Sequence, residues 1–93
     1  MVIFIERDHE LSHNRARDVA EQVANELELE YGLRWHWDEE HLHFKHHSAH
    51  GWLLATSGKM SMNIRLGFAA SLFAHSIEQH ITLRLDELLG ESL

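Results

Sequence analysis

Ten histidines are spread over 93 residues, and five of them fall in the stretch HLHFKHHSAH, 41 to 50. Imidazole binds borderline metals and changes charge near neutral pH, so this stretch is the first place to look for chemistry. If Glu39 and Glu40 form the two-residue loop of a tight hairpin, Asp38 faces His41 and His36 faces His43. Directly opposed Cβ atoms lie about 4.5 to 5.5 Å apart, which makes His36, Asp38, His41 and His43 a candidate zinc set. The simpler reading is preferred: these residues alternate with Leu42 and Phe44, as Arg34, Lys45, Ser61 and Asn63 alternate with other apolar residues. Metal-binding imidazoles need partners that hold the ring, and an open sheet face rarely supplies them. His46 points inward by alternation at a strand end, and His47 and His50 bracket a loop.

No other chemistry is marked out. Ser57-Gly58-Lys59 lacks the further glycines of a phosphate loop and reads as a turn. Serines, carboxylates and histidines are plentiful, but no spacing selects a triad, so the expectation is a protein that is not an enzyme. The chain has no cysteine, which removes disulfides, thiolate metal sites and thiol nucleophiles together. Its net charge is −7, with eight Lys and Arg scattered along it, so nucleic acid is excluded as an expected partner. No run approaches the roughly 18 apolar residues of a membrane span, and MVIFIERDHE is not a signal peptide, so the cytoplasm is the expected location.

The elements that must position any site can be read from periodicity. VIFIE, 2 to 6, is β-branched and aromatic, as in a strand buried on both faces or at the start of a sheet. From Ser12 the spacing changes to three and four, with Ala16, Val19, Ala20, Val23, Leu27 and Tyr31 on one face of a helix. Ser12 is its N-cap and Gly32 its left-handed end. Period two then returns in Leu33, Trp35 and Trp37, in Leu42 and Phe44, in WLLAT after a loop at 47 to 51, and in Met60, Met62, Ile64 and Leu66. Ser71 caps a closing helix with the stripe Phe73, Ile77, Ile81, Leu85 and Leu88, which Gly90 ends. The result is one domain, 1 to 93, of the α+β class: a single antiparallel sheet in the order β-α-β-β-β-β-α with its helices on one face.

Two apolar groups are candidates for binding. Phe68, Leu72 and Phe73 lie where the chain turns from strand to helix, a place that normally stays at the surface, and so form a candidate interaction surface. The simpler role, in which Phe68 and Phe73 close one end of the core, is preferred. Trp35, Trp37, Met60 and Met62 are candidate lining for a small hydrophobic ligand such as an acyl chain held between sheet and helices, although they read first as packing. Open sheet edges can pair across a two-fold axis, which makes a homodimer a further candidate.

The whole chain also carries a recognisable order of pieces. A short strand ending near His9, a helix running to EYGL, a Trp-bearing strand, HLHFK, WLLAT, NIRLGF and a closing helix with SIEQHI and RLDELL resemble the small bacterial polyhydroxyalkanoic acid system protein family. The resemblance covers nearly all 93 residues. It implies a link to polyhydroxyalkanoate storage, with the granule surface or granule proteins as partners, and it carries no catalytic residue and no cofactor. The element order is similar to the TATA-binding-protein-like arrangement, a likeness of fold that supplies no ligand.

Overall fold

The computed structural model describes residues 1–90. β1 (Val2–Asp8) is followed by α1 (His13–Tyr31), then β2 (Arg34–Asp38), β3 (His41–His46), β4 (Ala49–Thr56) and β5 (Lys59–Leu66). A short α2 (Phe68–Ser71) and a long α3 (Ala74–Gly90) complete it. The five strands form one antiparallel sheet in the order β1-β5-β4-β3-β2. α1 lies over β4 and β2, α3 lies over β1, and the two helices touch each other on the same face of the sheet. This is the expected α+β arrangement.

Local chemistry explains the ends of α1. Ser12 Oγ accepts from the Arg15 amide at 3.3 Å, a cap worth about 1 kcal/mol. Gly32 adopts φ 74°, and its amide reaches the Glu28 carbonyl at 2.9 Å while Leu33 returns to the Leu27 carbonyl. That double closure needs the left-handed conformation, which glycine reaches without a Cβ clash. Ala16, Val19, Ala20, Val23, Ala24 and Leu27 are then buried against the sheet.

β1 is an edge strand whose Ile3 and Ile5 are buried while Val2 and Phe4 are exposed, so of its two expected settings it takes the one at the start of the sheet. Departures from expectation come at the β3–β4 turn and at the last helix. The loop expected at 47 to 51 is only a turn at His47 and Ser48, and β4 begins at Ala49. His50 and Gly51 therefore belong to the strand, with His50 paired to Lys45 and Arg65. At the last helix Ser71 is not the cap: it sits in α2, and its hydroxyl donates to the Phe68 carbonyl at 2.7 Å. The buried stripe of α3 is Ala74, Ile77, Ile81, Leu85 and Leu89, with Phe73 turned out and Leu88 only half-buried. A helix aligns its core side by what meets the neighbouring layer, and here small Ala74 fits closely where Phe73 would not.

Met60, Met62, Ile64 and Leu66 of β5 meet Leu42, Phe44 and Leu53 in the core, as the alternation requires. Glu39, at φ 57°, and Glu40 make the two-residue turn between β2 and β3. Its register places Asp38 opposite His41 and His36 opposite His43.

Candidate functional site

The corner between β5 and α3 is built on a closed set of backbone hydrogen bonds. Leu66 donates to the Met1 carbonyl at 2.7 Å, Gly67 to the Ser48 carbonyl at 2.6 Å, and Phe73 to the Ala70 carbonyl at 2.9 Å. Ser48 Oγ accepts from the Ala70 amide at 3.0 Å, so the β3–β4 turn caps α2 from outside the helix. A Cβ on Gly67 would stand 3.0 Å from that same oxygen, which explains a residue without one. With the backbone held, helical spacing decides the side chains. Ala70 and Ala74, four apart, face the core. Phe68 and Leu72, also four apart, face out.

The exposures are large: 88% for Phe68, 76% for Leu72 and 56% for Phe73. Core closure is therefore not their role. Beside Phe73 an open cleft of about 390 Å³ runs between the end of α1 and α3, lined by Tyr31, Leu33, Ala69, Ala70, Phe73 and Ile77, with His46, His47 and Glu30 at its rim. Tyr31 and Ser76 share a hydroxyl hydrogen bond of 2.6 Å across the two helices. A second cleft, about 520 Å³, lies round the β3–β4 turn with His46, His47, His50 and Arg65 among its walls. His46 is fixed there, its Nδ1 accepting from the Ser48 amide at 3.1 Å and its ring centroid 4.1 Å from that of His47. An apolar corner thus sits beside imidazoles and a guanidinium.

His36, Asp38, His41 and His43 do come together on the open sheet face. His36 stacks on His43 with centroids 5.5 Å apart, His41 stacks on His43 at 6.0 Å, and His43 Nε2 lies 3.9 Å from Asp38 Oδ2. Stacked rings show one another their faces instead of aiming nitrogens at a common point. Among the described residues, no group of three or more His, Asp or Glu side chains is arranged to hold a metal ion.

The four residues considered as acyl-chain lining are placed differently from that expectation. Met60 and Met62 are fully buried in the packed core. Trp35 donates its indole N–H to Asn25 Oδ1 at 3.2 Å and Trp37 donates to Glu21, so both edge-strand indoles clamp α1. The Arg17 guanidinium covers the Trp37 ring at 3.7 Å, a cation–π contact. None of the four lines the cleft beside Phe73. Alternation correctly put them inward, but the helices fill the space they face.

One polar cluster was not visible in the sequence. Glu26 of α1 accepts from Arg84 Nε at 2.9 Å and Nη2 at 2.9 Å, and pairs with His80 Nε2 at 2.9 Å, joining α1 to α3. His80 and Arg84 are four apart on α3, the only local signal, and their partner is 58 residues from Arg84. Burial pushes the Glu26 carboxyl up, yet the hydrogen bonds and charges of Arg84 and His80 outweigh it and hold the group below its ordinary value of 4.5. A depressed folded-state value means stability that is present above the unfolded value and is lost as pH falls through the folded one. Glu26→Gln should cost about 1 to 2 kcal/mol in urea unfolding at neutral pH. The gap to wild type should close on acidification below about pH 4.5; a gap independent of pH would contradict the pairing.

Comparisons with known proteins follow the same outline. No curated protein gives a significant match. Among solved structures, the NMR structure of PA4090 from Pseudomonas aeruginosa has a TM-score of 0.59, covering 94% of this chain and 82% of that one at 10% identity. At that identity the likeness is one of fold. A family model described as "Putative polyhydroxyalkanoic acid system protein" matches residues 3–89, which takes in β2 to β5, α1 and α2 whole and all but one residue each of β1 and α3. The chain belongs to this polyhydroxyalkanoic acid system protein family.

Proposed function

We propose that this protein is a non-enzymatic accessory protein of polyhydroxyalkanoate storage, and that it contacts the granule surface through Phe68, Leu72 and Phe73. The observation that carries the reading is the exposure of three large apolar side chains on one rigidly bonded corner, at 88%, 76% and 56%. Family membership supplies the storage context. Transfer of each such side chain from water to an apolar phase contributes about 1.5 to 3 kcal/mol, part of which offsets the cost of association. The contact is therefore weak and reversible when made by one copy. Among the described residues no helix is long and apolar enough to cross a membrane. The reading places the chain in the cytoplasm, which its lack of cysteine fits.

Co-sedimentation with polyhydroxybutyrate particles tests this. Wild type should pellet with the particles, and Phe68→Asp with Phe73→Asp should lower the bound fraction about tenfold while thermal unfolding stays unchanged. Undiminished pelleting of the folded double variant would remove the corner from the function.

The apolar cleft beside Phe73 supports a second reading, a carrier of a short acyl chain, with Tyr31, Leu33, Phe73 and Ile77 as lining. Native mass spectrometry of freshly purified protein separates the two. A retained acyl ligand favours the carrier, and bare protein favours the surface contact.

A further inference from the structure

The face of the sheet turned away from the helices is ordered into rows by the strand registers. One row crosses all five strands as Phe4, Asn63, Trp52, His43 and His36. On one side of it runs Val2, Arg65, His50, Lys45 and Arg34; on the other runs Glu6, Ser61, Leu54, His41 and Asp38. The first flanking row carries three fixed positive charges and no carboxylate. The second carries two carboxylates and no Lys or Arg. Four of the five positions in the central row carry rings, with Asn63 between Phe4 and Trp52: Phe4 is 59% exposed, and the Trp52 ring meets His41 edge-on at 5.7 Å while His43 and His36 stack.

We infer that this face is where a second copy of the chain binds, with a two-fold axis running along the central row. Such an axis keeps each strand over its counterpart and reverses the strand direction, so the cationic row of one copy lies over the acidic row of the other. Arg34 then faces the partner's Asp38, and Arg65 faces the partner's Ser61 beside the partner's Glu6. The Arg34–Asp38 pairing, the one direct charge pair across the axis, occurs twice; Lys45 lies over the partner's His41, and Glu6 is already approached by Lys59 of its own chain at 3.7 Å. Trp52, on the middle strand, meets the same residue of the other copy in the centre, where aromatic anchors contribute most, and Phe4 meets its counterpart at the β1 edge. Two twisted sheets stacked face to face align within about 30° and about 10 Å apart, which this axis allows. The net charge of −7 on each copy opposes association, so a single-sign face would be repelled; opposite rows on a self-complementary face are what two-fold pairing needs. A face five strands wide and three rows deep covers about 500 Å² before side-chain relief, the same order as the roughly 800 Å² per partner of a standard interface. The corner at Phe68 lies outside these rows, so the inference does not depend on the proposed granule contact.

Sedimentation velocity on the purified chain from about 1 to about 200 µM tests the inference. Wild type should form a dimer within this range. Trp52→Asp should raise the dimer Kd by about 30-fold or more, and Arg34→Asp by about tenfold. The swap of both charges in one chain, Arg34→Asp with Asp38→Arg, should recover most of the wild-type affinity, which a merely damaged fold would not do. Thermal unfolding of each variant reports the fold independently. A wild type that stays monomeric, a dimer indifferent to Trp52→Asp, or a double swap no tighter than Arg34→Asp would each overturn the inference.

Discussion

Gly51→Ala should destabilise the protein by about 3 kcal/mol, lowering the thermal midpoint by roughly 12 to 24 °C. The position is inside β4, paired to Phe44 on one side and Ile64 on the other. A Cβ placed there would stand 2.1 Å from the Asn63 carbonyl oxygen and 2.7 Å from the Ile64 Cα. Both contacts are with backbone, so no rotamer change relieves them. β4 would have to move away from β5, disturbing the longest ladder in the sheet. Differential scanning calorimetry against wild type measures the effect, and a midpoint shifted by less than about 3 °C would show that the two strands do not approach as closely as described. Glycine inside a strand commonly weakens it, and close backbone approach is the reason it is kept here.

The second large effect belongs to the residue opposite. Phe44→Ala should cost about 3 to 5 kcal/mol, towards the upper end of that range. Phe44 is buried, and its neighbour across β3 and β4 is Gly51, which has no side chain to collapse into the vacated volume. In the single chain, below the concentrations at which it pairs, the adjacent His43→Ala should cost about 0.5 kcal/mol or less, because His43 lies half-exposed on the other face with ring stacking and a 3.9 Å approach to Asp38. Urea unfolding of the two variants side by side compares the faces of one strand. Equal losses would mean that the histidines, and not Leu42 and Phe44, secure this stretch.

The pairing of β2 with β3 is legible in the sequence because the turn leaves no slack. Two loop residues, Glu39 and Glu40, oblige Asp38 to face His41, and alternation then assigns every following residue to a face. The caps of α1 were readable for a similar reason, since Ser12 and Gly32 act on amides and carbonyls within their own turn. The next hairpin was not. His47 and Ser48 form its turn without glycine, and Gly51, which by composition suits a loop, is a strand residue. The stripe of α3 slipped by one at Phe73 because local spacing fits Phe73-Ile77-Ile81 and Ala74-Ile77-Ile81 alike.

Periodicity and composition by themselves determined the five strands, the two long helices and the fold class, because these follow from the pitch of a helix and the pleat of a strand; the short α2 was not among them. Tertiary structure alone decided that β1 closes the sheet beside β5, that Ala74 and not Phe73 meets the core, and that Glu26 meets Arg84 from 58 residues away. It also decided which residues share a row on the open face, since that depends on pairings between distant strands, and those pairings are chosen by the burial of the opposite face. Phe68, Leu72 and Phe73 stand in the sequence as ordinary apolar residues. Only the packing of Ala70 and Ala74 beneath them, and the capping of α2 by Ser48, leaves them in water.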